Sequence, residues 1–190
     1  MGRSGFRQRR GSVELRLAEH ERGVLLWVLE RYGDLLRSIA QDPVPQPVDP
    51  LARLLDLGDP VEPPTDPALA RLFPAAYRDD DEAAADFRRF TQTELLDGRL
   101  ARLRSVLPAL AAADGPLALT AGQAHEWLQV LNDVRLMLGT QLGVTDESGG
   151  DLGHIGPDDP EFPDARIFEW LGWLLETLVV ALAARLPDQG

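Results

Sequence analysis

The stretch from Ile167 to Leu186 constrains the fold most. It is apolar almost all round, broken chiefly by Glu169, Gly172, Glu176 and Thr177. A helix of that kind, starting near Pro163 or Asp164, lies at the centre of a core or in an interface between subunits. Its length would suit a membrane span, but Glu169 and Glu176 fall inside it, and each carboxylate would cost about 2.5–3.5 kcal/mol or more near a bilayer centre. The expectation is a buried helix of a cytoplasmic protein with no membrane partner, and a possible homodimer through the same surface.

Three further helices follow from periodicity. Leu25, Val28, Leu29, Tyr32, Leu35, Leu36 and Ile39 repeat at helical spacing within Glu19 to Ile39, with Glu19 and Glu21 at the positive end. The run Asp79-Asp80-Asp81-Glu82 opens the longest helix, reaching about Ala112, with Gly98 and Pro108 as weak points. Thr120 and Gln123 fit a capping box, so another helix starts at Ala121, buries Trp127, Leu131, Val134, Leu138 and Leu142, and stops at Gly143. Ala68 to Phe73 reads as one helical turn ended by Pro74.

Between Phe6 and Leu17 the pattern changes to period two. Val13, Leu15 and Leu17 alternate with Glu14 and Arg16, and Gly11-Ser12 supplies a turn, so a β-hairpin over 6–17 is expected. Leu117 to Leu119 is a short extended piece able to pair with it. Segments 41–67 and 144–163 are loop-rich, with a short helix expected at Leu51 to Leu57 among the prolines. The predicted fold is mainly α: a single-domain helical bundle, residues 1–190, of about four long helices with a small N-terminal β-hairpin.

Composition removes several chemistries. The 190 residues include no cysteine, which excludes disulfides, thiolate metal sites and cysteine nucleophiles within the chain. All 19 basic residues are arginine, so a Schiff-base lysine and a phosphate-loop lysine are absent too. A net charge of −12 opposes non-specific nucleic-acid binding. The exception is the basic start, where Arg7, Arg9 and Arg10 mark the best candidate for phosphate contact, with DNA binding left open against plain solvation of a terminus.

Candidate sites are few. His125-Glu126 lacks the second histidine of a zinc-protease helix, since residue 129 is Gln, and the acidic run at 79–82 lacks the spacing of a calcium loop. No serine or threonine sits in a nucleophile elbow. The expectation is therefore no catalytic residue, no metal and no cofactor. Arg88, Arg99 and Arg102 share one side of the longest helix, facing either a polyanion or partner, or this chain's own acids. Asn132, Asp133 and Arg135 form a polar insert in the next helix, suited to a hydrogen-bonded link between helices or to a partner.

The blocks RLFPAAYRDDDEAAADFRRFTQTELLDGRLARL (residues 71–103) and WLQVLNDVRLMLGTQLG (residues 127–143), with the start FRQRRGSVELRL and the Trp-rich last helix, resemble an actinobacterial domain-of-unknown-function family, that of the oxidative-stress transcription regulator AosR. The resemblance covers nearly the whole chain. It implies a cytoplasmic, non-enzymatic regulator working through protein contacts, with a sigma factor or RNA polymerase as partner. It also implies a cysteine-pair switch, which a chain without cysteine does not carry. The family's gene neighbourhood implies an alternative: an interaction module for Clp proteolysis components or for cysteine and sulfur metabolism.

Overall fold

The computed structural model describes residues 4–9, 11–41, 65–74, 81–145 and 152–184, and side chains at all of these except 40, 41 and 81–91. The expected helix at Leu51 to Leu57, residues Asp79 and Asp80, and Arg10 lie outside the described residues. The order is β1 (Gly5–Arg9), β2 (Ser12–Arg16), α1 (Glu19–Gln41), α2 (Pro67–Leu72), α3 (Asp81–Ala111), β3 (Leu117–Leu119), α4 (Ala121–Gln141) and α5 (Phe162–Ala183). The mainly helical fold with a small N-terminal hairpin is as the sequence predicts.

β1 and β2 pair antiparallel with Phe6 opposite Leu15 and Gln8 opposite Val13, and β3 adds antiparallel to the far side of β2. That register sends Phe6, Val13, Leu15 and Leu119 to one buried face. The Phe6 ring meets Trp127 of α4 edge-on, with centroids 5.9 Å apart. Gly5 turns the chain into β1 at φ +100° and leaves no room for a Cβ, which would stand 3.0 Å from the Trp173 ring. The next residue, Phe6, donates its backbone N–H to Thr177 Oγ1 at 3.1 Å, which caps the outer edge of β1 with α5.

α4 is the element around which the others pack. Thr120 accepts from Gln123 N while the Gln123 side chain accepts from Thr120 N, the reciprocal cap the sequence predicts. The helix buries Trp127, Val130, Leu131, Val134, Met137 and Leu138. It ends where Val144 N reaches back to Gly139 O and Gly143 takes φ +67°. α2 is nucleated by Asp66, whose carboxylate accepts from Ala68 N and Leu69 N, and it packs Leu69 and Leu72 into the core. α3 runs through Gly98 and Pro108 without ending.

Of the two places expected for α5, the centre of the core or an interface between subunits, the structure excludes the first. Ala165, Phe168, Leu171, Leu174, Leu178 and Ala181 form one buried stripe at helical spacing, while Trp173, Val179 and Val180 are exposed on the opposite side. The helix therefore lies on the surface of the bundle and keeps apolar side chains in solvent. It also ends at Ala183 rather than Leu186. Among the described residues, no helix is long and apolar enough to cross a membrane.

Candidate functional site

The one buried acid among the described residues is Asp133, on the core face of α4. Its position follows from helix geometry: residue 133 is three after Val130 and four before Met137, both fully inside. A buried carboxylate is costly unless paired and hydrogen-bonded. Here Tyr32 of α1 donates its hydroxyl to Asp133 Oδ2 at 2.8 Å, and Arg99 Nε of α3 stands 3.1 Å from the same oxygen. The Arg99 Nε–H does not point along that line, so the contact is an ion pair rather than a hydrogen bond. Arg99 Nη2 donates to Leu72 O at 2.8 Å, and the guanidinium lies 4.8 Å from the Phe73 ring centroid.

Three helices thus meet at one carboxylate, and the end of a fourth meets the arginine paired with it. Burial, followed by the Asp133 charge and hydrogen bond, pushes the Tyr32 phenol well above its ordinary range, while Arg99 and Arg102 oppose this. Tyr32 is consequently locked as a neutral donor. Arg102 Nε and Gln92 Oε1, also on α3, are buried without hydrogen bonds. The arrangement is chemically closed: the acid, the phenol and the guanidinium are engaged with one another and with the backbone.

The predicted site residues separate into different places. Arg99 belongs to this cluster and meets the chain's own acid, and Arg102 lies close to Tyr32. The side chain of Arg88 is outside the described residues. Of the polar insert, Asp133 makes the link between helices. Asn132, its neighbour in the insert, is exposed. Arg135 crosses to α5, with its guanidinium 4.2 Å from the Phe168 centroid, and its Nε lies 3.4 Å from where a Gly172 Cβ would stand. Arg7 and Arg9 are exposed on β1, away from the cluster. Glu14 of β2 pairs with Arg9 at 3.6 Å and with Arg16 at 2.7 Å. The Arg16 hydrogen bond is the main cause that holds the Glu14 carboxyl below its usual range. His20, His125 and His154 are all exposed, and no group of three or more His, Asp or Glu among the described residues could hold a metal ion.

Tyr32 was the missed member. Sequence reasoning placed it on the apolar stripe of α1, which is correct, but not its hydroxyl partner. The available signal was an aspartate on the buried stripe of α4 together with a tyrosine on that of α1, since a buried phenol seeks an acceptor.

A second feature lies on the surface where α1 and α5 run antiparallel. Arg31 Nη1 donates to both carboxylate oxygens of Asp164, at 2.9 and 3.1 Å, and the Arg31 guanidinium stacks 4.7 Å from the Trp27 centroid. Two to three turns back along α1 from Arg31, His20, Glu21 and Val24 face Arg166, Ile167 and Trp170 across a groove of about 250 Å³.

The family described as domain of unknown function DUF2017 matches residues 3–182 of this chain. The chain belongs to this family. Family relatives include the putative oxidative stress regulator AosR of Mycobacterium leprae, 32% identical over 134 residues, a match covering 64% of this chain and 60% of that protein. The oxidative stress regulator AosR of Mycobacterium tuberculosis is 31% identical over 137 residues, covering 63% of this chain and 59% of the relative. This chain therefore spans about three-fifths of the relatives' length. No solved structure matches it.

Proposed function

We propose that this member of the family is a non-catalytic regulator that acts through contacts with other proteins, in the oxidative-stress setting named for its relatives. The observation that carries this reading is the match to proteins named as oxidative stress regulators. The interior agrees with it: the conspicuous polar cluster spends its groups on holding α1, α3 and α4 together, while apolar side chains stay on the surface of α1 and α5. The chain contains no cysteine, so its response to oxidant comes through a partner or through its own abundance, not through a thiol switch within these residues.

The partner class favoured is the transcription machinery, a sigma factor or RNA polymerase. The test is a deletion strain complemented with this chain and profiled for transcripts before and after peroxide. A defined set of transcripts whose oxidant response is lost on deletion and restored by the chain supports the reading. An unchanged transcriptome with unchanged peroxide survival refutes it.

A further inference from the structure

We propose that the solvent face of the β1–β2 hairpin binds an extended acidic segment of a protein partner, with carboxylates at alternate positions. The proposal rests on the reading of this chain as a protein-contact regulator and names the surface that makes the contact. Strand alternation sends Phe6, Val13 and Leu15 inward, so Arg7 and Arg9 of β1 and Ser12, Glu14 and Arg16 of β2 share the outer face. That face carries three arginines and one acid. Glu14, directly opposite Arg7, accepts from Arg16 Nε at 2.7 Å, and the same oxygen stands 3.6 Å from Arg9. Each guanidinium has five N–H donors in a planar fork, so a contact within the face does not exhaust it. The Arg9 side chain is 61% exposed and that of Arg16 35%. Both forks therefore present donors to solvent. The excess of positive charge is local. Residues 1–18 carry five arginines and one acid, whereas the rest of the chain carries fourteen arginines and thirty acids.

Spacing and extent select the occupant. Arg7 and Arg9 are two residues apart on one strand, about 6.8 Å, which is also the separation of alternate side chains in an extended peptide. Carboxylates at i and i+2 of such a segment meet the two guanidiniums in register, and a bidentate arginine–carboxylate pair is the strong geometry for this contact. A nucleic-acid duplex fits less well. It carries a charge every ~1.7 Å of its axis, while the basic face is only two strands, about 4.8 Å, across. A duplex laid on it reaches past Arg16, where Glu19 and Glu21 of the α1 start and Asp114 before β3 outnumber Arg22. Those acids, and the net charge of −12, repel a polyanion but leave a single acidic strand its own place.

The test is a titration of the full chain labelled with ¹⁵N, read by backbone amide shifts. The probe is a synthetic peptide of six glutamates alternating with threonines, which favour extended backbone. Controls are its glutamine analogue, a peptide with six glutamates at every third position, and a short DNA duplex of mixed sequence. The expected result is saturable shifts centred on Arg7, Arg9, Glu14 and Arg16, with affinity falling at least about fivefold from low to physiological salt. The glutamine analogue and the third-position peptide should bind at least about fivefold more weakly. Arg9→Glu should weaken binding at least about tenfold. Arg37→Glu makes the same change in net charge about 27 Å along α1 from Glu19, and should weaken it less than about twofold. Melting temperatures confirm that both variants fold. Shifts centred elsewhere, no saturation, equal binding of either control peptide, or equal losses in the two variants overturn the proposal. Tighter binding of the duplex than of the peptide at the same salt also overturns it, by assigning the face to nucleic acid. Self-association abolished by Arg9→Glu overturns it by assigning the face to a second copy. If the face fails while the transcript response to this chain stands, the surface is wrong and the regulatory reading survives.

Discussion

Asp133→Asn isolates the charge at the centre of the bundle. The amide keeps nearly the same volume and an acceptor for the Tyr32 hydroxyl, but it leaves the Arg99 guanidinium without its anion. The Arg99 and Asp133 side chains are 14% and 10% exposed, so water screens the loss only slightly. Removing one partner of a buried pair costs about 3–5 kcal/mol. Arg99 retains the Leu72 carbonyl and the Phe73 ring, which places the expected loss near the lower end. For a chain of this size each kcal/mol moves the melting temperature by roughly 2–4 °C, so a fall of about 6–12 °C is expected. Urea unfolding monitored by tryptophan fluorescence should show the same loss as a lower midpoint at unchanged slope. Replacing the whole cluster by Asp133→Leu, Arg99→Met and Tyr32→Phe together should recover most of the stability, because the acid, the phenol and the guanidinium leave together and only the part-buried Leu72 carbonyl loses a donor. A loss below about 1 kcal/mol for Asp133→Asn, or a triple variant less stable than the single one, would refute the account of the cluster.

Other consequences follow from the same structure. Because the folded Tyr32 has its pKa raised, the unfolded chain alone ionises it above about pH 10, so stability conferred by this group is full below that pH and declines above it. Tyr32→Phe should flatten that decline in unfolding measured from pH 8 to 11. Thr120→Ala removes the reciprocal cap of α4 and should cost about 0.5–2 kcal/mol in urea midpoint analysis. Gly139→Ala places a Cβ 2.9 Å from the Phe168 ring and should destabilise by about 1–3 kcal/mol, seen as a lower melting temperature, while Gly122→Ala, which meets nothing within 4 Å, should not destabilise.

Local chemistry made most of the fold legible. The Thr120–Gln123 pair fixed the start of α4, Gly143 its end, and the alternation around Val13 and Leu15 the hairpin, because each depends on neighbours in sequence. The long-range contacts were less accessible. That Asp133 meets Tyr32, 101 residues away, depends on how α1 crosses α4, and periodicity carries no information about crossing. The same limit applies within the polar insert: Asn132 and Asp133 differ by about 100° in direction on the helix, and it is Asp133 that meets Tyr32 while Asn132 stays exposed. For α5 the sequence left the core centre and a subunit interface both open, and only packing excludes the core centre. Its composition is apolar enough for complete burial, yet the bundle offers it one face, and Trp173, Val179 and Val180 remain outside. An excess of apolar residues over available core is itself a sign of a surface that meets something else.

Affinity capture from nuclease-treated native cells, before and after peroxide, tests the regulatory claim most directly. The chain should bring down RNA polymerase or a sigma factor. Capture of Clp components or cysteine-synthesis enzymes instead, with no transcription protein above background, would contradict the account and move the chain to protein turnover or sulfur metabolism.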